Sequence, residues 1–139
     1  MYNYQIIKEL GTGSAGRVFL AKDKTATQHY AIKEISTESN DLLKSTLLEI
    51  ENMKKLTHPF IVRYHSSFST KTHSSSDSSK LYIVMEYVDN GDLATFISNR
   101  KKRNKYLSED EVLRIFVQIV IALQYIHSQN VVHRDLKPQ

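Results

Sequence analysis

Three of the four glycines in this 139-residue chain fall within six residues of one another. Gly11, Gly13 and Gly16 lie in LGTGSAGRV and form the pattern G-x-G-x-x-G-x-V. A glycine-rich segment lets backbone N–H groups approach phosphate oxygens at points where a Cβ atom would obstruct them. Because glycines mark turns of many kinds, the pattern predicts a phosphate-binding loop only if the flanking segments agree.

The flanking residues distinguish two classes of phosphate-binding fold. A dinucleotide-binding fold needs a helix directly after the glycines and an acidic residue about 20 positions further on. Glu34 lies at a suitable distance. However, RVFLAKDKTATQHYAIKEI alternates and turns without a helical apolar period. The dinucleotide-binding alternative therefore fails for want of its helix, and a strand, glycine-rich loop and strand that cover a phosphate are favoured.

Lys33 and Glu49 are charged residues at positions that otherwise favour apolar side chains. The alternation of YAIKEI places Ala31, Lys33 and Ile35 on one strand face. A lysine there is costly unless its ammonium group has an anionic partner, although an edge lysine that reaches solvent is the alternative. On the following helix, Glu49 lies at the margin of the apolar stripe, whereas Glu51 faces solvent. We predict that Lys33 and Glu49 meet across a sheet–helix interface and that the lysine presents its charge to phosphates.

The hydrophobic pattern of the first two thirds indicates strands around one helix. The strand-like runs are QIIKEL, RVFLAK, HYAIKEI, FIVRYHSSF and KLYIVMEYV. A helix is predicted from Asn40 or Asp41 until shortly before His58-Pro59. Its predicted apolar side consists of Leu42, Leu43, Leu47, Ile50, Met53 and Leu56. The serine-rich link STKTHSSSDSS between the last two strands is predicted to be a surface loop.

The last third reads as two helices. DNGDL predicts a turn into a short helix around residues 94–99, and Ser108 with Glu111 forms a capping box that predicts a helix over 109–127. The second helix is apolar on nearly all sides, so we expect it to be buried on most of them. Its longest apolar run, IFVQIVIAL, is too short to cross a bilayer, and no membrane partner is predicted.

Charge and composition narrow the class of partner. The net charge of +4 is modest, and much of it lies in RKKRNK, residues 100–105, which we predict to be a solvated loop between helices. No aromatic residue interleaves this run to stack bases, so no nucleic-acid partner is predicted. The absence of cysteine suits the cytoplasm, with the nucleus or the cytoskeleton as alternatives, and the histidines show no metal-ligand spacing.

Five motifs in order resemble those of eukaryotic protein kinases: GTGSAGRV, YAIK, a helical glutamate, LYIVMEYVDNGDL and HRDLKP. The wording of EIENMKKLTHPFIVRYHSSF and IFVQIVIALQYIH is most similar to the NIMA-related (NEK) serine/threonine kinases. The resemblance runs from Tyr4 to the last residue. It implies an α+β, kinase-like two-lobed fold with an N-terminal lobe over 1–85 (a five-stranded antiparallel sheet plus the αC helix), a hinge over 86–92, and only the first helices of the C-terminal lobe over 93–139.

The resemblance also implies a role for each residue of a nucleotide site. The implied walls of the adenine pocket are Leu10, Val18 and Ala31. The residues implied for the phosphates of ATP are Gly11, Gly13, Gly16 and Lys33, with Glu49 fixing the lysine. Met85 is the implied gatekeeper. The backbone at Glu86 and Val88 is expected to hydrogen-bond the adenine, and Asp92 is expected to reach the ribose.

The motif HRDLKP implies the catalytic residues. Asp135 resembles the kinase base that orients a substrate hydroxyl and accepts its proton, and Lys137 resembles the lysine that supports the transferring phosphate in serine/threonine kinases. The expected substrates are thus ATP and a protein Ser or Thr hydroxyl. The alternative interpretation of Asp135 is a surface ion-pair cluster with Arg134 and Lys137.

Mg²⁺ is expected with ATP, but no metal ligand is assigned within the 139 residues. Kinases hold Mg²⁺ with an Asn five positions after the catalytic Asp and with the Asp of a DFG motif. Counted from Asp135, that Asn would directly follow Gln139, and neither Asp77 nor Asp89 lies in a DFG motif. We therefore expect a partial kinase domain with negligible activity of its own. A non-catalytic nucleotide-binding or partner-binding module is the alternative.

Overall fold

The computed structural model describes residues 3–13, 16–37, 40–70 and 80–139. The chain divides into two compact units. The first comprises the residues up to Thr57 together with Val62–Tyr87, and the second comprises His58–Ile61 with Val88–Gln139. The boundary between Tyr87 and Val88 falls inside the segment predicted as a hinge. Most of the serine-rich link, residues 71–79, lies outside the described residues.

A five-stranded antiparallel sheet forms the body of the first unit, as predicted. Its strands are β1 (Tyr4–Gly13), β2 (Gly16–Asp23), β3 (His29–Ser36), β4 (Tyr64–Thr70) and β5 (Lys80–Glu86), in the order β1-β2-β3-β5-β4. β4 begins at Tyr64 rather than near Phe60, because the chain first makes a turn in which the N–H of Ile61 donates to the carbonyl of His58. The two strands richest in buried residues, β3 and β5, are paired with each other inside the sheet.

Two clusters of buried side chains cover the two faces of the sheet. Because side chains alternate along a strand, β3 and β5 contribute to both clusters. One cluster consists of Ala21, Tyr30, Ile32, Tyr82 and Val84, and Tyr4, Ile6 and Phe68 pack against it. The other consists of Ile35, Ile50, Leu81 and Ile83, and Leu43, Met53 and Tyr64 pack against it. The second cluster is completed by α1 (Asn40–Lys55), which supplies Ile50.

The face that α1 buries differs from the predicted one. Thr46 and Ile50 are buried, whereas Leu42 and Leu47 are exposed. Residues spaced by three and four along a helix share a face, and the line through Leu43, Thr46 and Ile50 satisfies that spacing. Leu42 and Leu47 lie at opposite margins of this line, so the prediction that they belong to the buried face is wrong.

The second unit contains α2 (Leu93–Lys102) and α3 (Glu109–Ser128). The predicted capping box is present: Ser108 Oγ accepts a hydrogen bond from the N–H of Glu111, and the Glu111 carboxylate accepts one from the N–H of Ser108. α2 extends beyond the predicted 94–99, so residues 100–102 of the basic run lie in its last turn rather than in a loop. Cations are favoured there because a helix C-terminus carries partial negative charge.

Helix α3 is much more exposed than its apolar sequence predicts. Of its twenty residues, all described, only Ile126 is buried, and Phe116 is 59% exposed. The expectation of burial on most sides is therefore wrong for this chain. The nine-residue apolar run alone is too short to cross a bilayer, but α3 is long enough, and an 18-residue window within it has a mean hydropathy of 1.2. This is weak evidence for a membrane span, because core helices of soluble proteins satisfy the same criterion.

Candidate functional site

Lys33 and Glu49 form an ion pair, with 2.8 Å between Nζ and Oε1. Lys33 lies on β3, which is flanked by β2 and β5, so the edge-lysine alternative does not apply. Its side chain is 19% exposed, and Glu49 reaches it from α1. The elements that carry the pair are fixed by the cluster around Ile50 and Ile83. The arrangement can therefore hold a positive charge at a defined point of the sheet, where an anion would meet it.

The three glycines are not equivalent. Gly16 has a φ of +121°, and a Cβ atom there would lie 2.0 Å from the carbonyl oxygen of Glu34, so only glycine fits. At Gly11 and Gly13 a Cβ atom would meet nothing within 4 Å. Gly16 thus serves the close approach of β2 to β3, whereas Gly11 and Gly13 leave open space beside their backbone, as phosphate binding requires. Residues 14 and 15 lie outside the described residues.

Four of the residues expected around adenine and the phosphates are neighbours in the sheet. Val18 pairs with Lys33 across β2 and β3, and Ala31 pairs with Met85 across β3 and β5. Directly paired residues project on the same face, so these side chains share one surface. Leu10 lies next to them at an irregularity of β1, where the register with β2 shifts between Glu9 and Gly11. A bulge of this kind redirects a side chain, and Leu10 is 40% exposed.

Glu86 is partly engaged within the first unit. Its N–H donates to the carbonyl of Arg63 at 2.9 Å, and its Oε2 accepts from the N–H of Arg63 at 3.2 Å. A hydrogen bond to adenine would therefore have to use the carbonyl oxygen of Glu86. Val88, the other expected adenine contact, belongs to the second unit and is exposed.

Asp92 has a structural role that the sequence analysis did not predict. It is the N-cap of α2: its Oδ1 accepts from the N–H of Thr95 at 2.6 Å, and its Oδ2 accepts from the Thr95 hydroxyl at 3.0 Å. These two hydrogen bonds, the backbone one first, lower the pKa of the Asp92 carboxyl. The carboxylate is thus already occupied at a helix start, and its expected contact with ribose stays a prediction.

The structure brings Asp135 and Lys137 together. Lys137 Nζ lies 2.6 Å from Asp135 Oδ2, and this hydrogen bond and charge lower the pKa of Asp135. The segment is shaped by Arg134, whose φ of +63° is in the left-handed region, and by the N–H of Ala94, which donates to the carbonyl of Pro138. The side chain of Asp135 is 72% exposed. An ionised, accessible carboxylate can accept a hydrogen bond from a hydroxyl, but a surface ion pair would have the same geometry, so its catalytic role stays a prediction.

Within the described ranges, no group of three or more His, Asp or Glu side chains is placed to hold a metal ion. We therefore assign no Mg²⁺ ligand among the residues that are expected to bind ATP or the hydroxyl substrate.

A cluster of four polar residues escaped the sequence analysis. Glu34 is nearly buried, and its two oxygens receive different partners. Oε1 accepts from Arg17 Nε at 3.1 Å and Nη2 at 2.5 Å, while Oε2 accepts from the Tyr82 hydroxyl at 2.9 Å and lies 3.4 Å from Lys80 Nζ. We call these four residues, Arg17, Glu34, Lys80 and Tyr82, the Glu34 cluster. A sequence signal existed: HYAIKEIS is apolar on both faces, so an acid within it needs a partner.

Ionisation within the Glu34 cluster reflects opposing effects. Burial raises the pKa of Glu34, but the hydrogen bonds from Arg17 and Tyr82 and the charges of Lys80 and Arg17 outweigh it, so the pKa is lowered overall. Burial, followed by the hydrogen bond to Glu34, raises the pKa of Tyr82 to about 12. Glu34 is thus a nearly buried carboxylate that stays ionised at neutral pH because its partners compensate for lost hydration.

The chain is similar to a known protein family and to several known proteins. The protein kinase domain profile matches residues 4–139. The serine/threonine-protein kinase Nek5 of Mus musculus is 41% identical over all of this chain and 20% of its own length. Nek5 of Homo sapiens is 38% identical over all of the chain and 19% of its length. The probable serine/threonine protein kinase IREH1 of Arabidopsis thaliana is 36% identical over 98% of the chain and 10% of its length.

The chain therefore spans at most about a fifth of the length of these three relatives. The predicted resemblance to NIMA-related serine/threonine kinases is confirmed, since Nek kinases are among the relatives that the chain matches over nearly its whole length. The predicted fold class is confirmed as well, by the domain match and by the five-stranded sheet. The chain belongs to the protein kinase domain family.

Proposed function

We propose that this chain is part of an ATP-dependent protein serine/threonine kinase, which transfers the γ-phosphoryl group of ATP to a Ser or Thr hydroxyl. The observation that carries the proposal is the Lys33–Glu49 pair at 2.8 Å, on the same sheet as two glycines whose surroundings are open. The names of the relatives support the choice of hydroxyl substrate. The lack of cysteine supports a cytoplasmic or nuclear location, and we propose neither a nucleic-acid nor a membrane partner.

The residues of the chain would contribute charge and orientation. Lys33 would donate charge-assisted hydrogen bonds to the α and β phosphates, and Glu49 would keep its ammonium group in place. The hydroxyl oxygen of the substrate forms a bond to the γ-phosphorus as the bond from that phosphorus to the β–γ bridging oxygen breaks. Asp135 would orient the hydroxyl and accept its proton, while Lys137 would offset negative charge on the transferring group. Such positioning supplies most of the catalysis in phosphoryl transfer.

Mg²⁺ supplies additional neutralisation of the phosphates when it is bound with ATP. Because the 139 residues contain neither a DFG motif nor the Asn that would follow Asp135 by five positions, we propose that this polypeptide by itself binds ATP but transfers its phosphate at a negligible rate. The non-catalytic alternative predicts the same inactivity for any longer product of the gene.

The test compares ATP and adenosine binding in the 139-residue protein by calorimetry. Lys33→Met should weaken ATP binding by about tenfold or more while adenosine binding stays within about twofold, because only ATP offers phosphates to the ammonium group. Lys22→Met, at an exposed lysine on β2, is the matched control and should leave both affinities unchanged. Equal loss of ATP and adenosine binding would contradict the phosphate role, and no ATP binding at all would favour a partner-binding module.

The second part of the test uses the protein expressed from its complete gene. Asp135→Asn should abolish phosphorylation of a Ser/Thr protein substrate with Mg·ATP while ATP affinity is retained, because the carboxylate acts on the hydroxyl. Unchanged phosphorylation would reject Asp135 as the base. In parallel, phosphorylation of casein by the 139-residue polypeptide, abolished by the same substitution, would overturn the expectation that it is inactive alone.

A further inference from the structure

The Glu34 cluster holds the end of the glycine-rich segment, which we define as the described residues 11–13 and 16–18, onto β3. Two independent contacts meet there. The backbone of Gly16 approaches the Glu34 carbonyl so closely that no side chain fits, and Arg17, the next residue, places its guanidinium on the Glu34 carboxylate. The register of β2 and β3 pairs Arg17 directly with Glu34. The first two residues of β2 are therefore fixed through both backbone and side chain.

Glu34 is itself held on a second side. The Tyr82 hydroxyl, from β5, donates to the oxygen that Arg17 does not use, and Lys80 adds a charge at 3.4 Å. The guanidinium of Arg17 also lies 5.3 Å from the centre of the Phe19 ring, a cation–π distance. Three adjacent strands, β2, β3 and β5, are thus joined through one carboxylate. A charged hydrogen-bonded group of this kind fixes geometry, since loss of any one partner leaves the carboxylate incompletely compensated.

The Glu34 cluster can affect the nucleotide site because Glu34 directly follows Lys33 on β3. Lys33 and Glu34 are consecutive on β3 and therefore project on opposite faces. Glu34 cannot contact what Lys33 contacts, but it holds the segment that leads from Gly16 into Val18, the direct partner of Lys33 in the ladder. A displacement of Arg17 would therefore move the glycine-rich segment relative to the lysine.

We infer that Arg17, Glu34 and Tyr82 are positioning residues that fix the glycine-rich segment over the phosphates of the nucleotide. The inference deepens the proposed function and rests on it for the identity of the ligand. It predicts that the cluster matters more for a ligand with phosphates than for one without them, because the glycine-rich segment is the part it positions. A merely structural role would weaken the binding of both ligands alike.

The first measurement needs no ligand. Amide hydrogen exchange in residues 11–13 and 16–18 should accelerate in Arg17→Ala, while exchange in β5 stays unchanged, because only the attachment of the segment is lost. Arg17→Lys keeps the charge but not the two-nitrogen contact with the carboxylate, and should give an intermediate result. Lys22→Ala on the same strand is the control. Unchanged exchange in residues 11–13 and 16–18 of Arg17→Ala would overturn the inference.

The second measurement compares affinities for ATP and adenosine in the same variants. Arg17→Ala and Tyr82→Phe should weaken ATP binding by about three- to tenfold and adenosine binding by less than about twofold. Equal weakening of both ligands would overturn the positioning role. A failure of the unaltered protein to bind ATP would instead refute the proposed function, and the exchange measurement would then show by itself whether the cluster holds the segment.

Discussion

The ion pairs Lys33–Glu49 and Asp135–Lys137 have nearly the same length, 2.8 Å and 2.6 Å, yet they differ in what holds them. The first joins a strand to a helix across sixteen positions of sequence, and both elements pack on one buried cluster. The second joins residues two positions apart within one exposed segment. A short distance is therefore good evidence of a built site at Lys33, because tertiary structure brings the two charges together. It is much weaker evidence at Asp135, because a local turn is sufficient to bring Lys137 within reach.

The units that carry these pairs differ in the same way. In the first unit Ile32, Ile35, Ile83 and Val84 are fully buried between strands or against α1. In the second unit α3 exposes most of its apolar side chains. Truncation of a buried side chain in the first unit should thus lower the free energy of unfolding, whereas truncation of an exposed side chain of α3 should change it little. Substitutions matched across the two units can test this difference.

The largest expected difference is between Ile83→Ala and Phe116→Ala. Ile83 has no exposed surface, so its truncation removes packing and leaves a cavity, at a cost of about 4 kcal/mol in the free energy of unfolding. Phe116 is mostly exposed, so its truncation should change that free energy by less than about 0.5 kcal/mol. Urea denaturation followed by circular dichroism measures both. A cost at Phe116 as large as that at Ile83 would show that α3 is covered in solution.

A smaller difference is expected between Gly16→Ala and Gly13→Ala. Alanine at position 16 must adopt a φ of +121° and would place its Cβ against the backbone of Glu34, so we expect a loss of about 2 to 3 kcal/mol. At Gly13, where a Cβ meets open space, the loss should be below about 0.5 kcal/mol. Thermal unfolding of the two variants is the measurement. Equal losses would mean that the approach of Gly16 to Glu34 is not maintained.

The smallest expected effect concerns pH. Because the pKa of Glu34 is lowered by folding, its carboxylate stabilises the native state above its ordinary pKa of 4.5, and the contribution disappears as the pH falls through the lower native value. Glu34→Gln should therefore cost about 1 kcal/mol at pH 7 and progressively less below pH 4.5.

Asp135→Asn provides the contrast for that measurement. The pKa of Asp135 is also lowered, by Lys137, but the pair is exposed and joins near neighbours that can meet in the unfolded chain as well. Its replacement should leave the pH dependence of stability unchanged. Unfolding titrations between pH 3 and 7 decide, and identical curves for Glu34→Gln and the unaltered protein would contradict the role of the Glu34 cluster.

Much of the first unit was predictable because its signals are local. Alternation identified the strands, and the position of Lys33 among apolar neighbours indicated a partner on the next helix, where the structure has Glu49. The capping box of α3 was equally legible, since Ser108 and Glu111 are three residues apart. Each of these features depends on residue type and on spacing within one or two elements, which a sequence displays directly.

What escaped prediction depends on which elements become neighbours. Arg17 and Tyr82 meet at Glu34 only because β5 inserts between β3 and β4, an order that no local pattern reveals. Similarly, a helical wheel shows that Leu42 and Leu47 are apolar but not that the sheet contacts a narrower line through Thr46 and Ile50. The start of α2 at Leu93 could be predicted only with the knowledge that Asp92 accepts a hydrogen bond from the N–H of Thr95.

At the irregularities of β1, a substitution can change the surface of the sheet without changing a cross-strand pair. In a regular ladder, a new side chain alters both the surface and its cross-strand partner. Ile7 and Leu10 fall where the register with β2 shifts, so neither has a directly paired residue on that strand. Their identity can therefore vary with little disturbance to the sheet. For Leu10, beside the surface formed by Val18, Ala31 and Met85, this provides a position at which related chains could diversify the shape of a ligand pocket while keeping their stability.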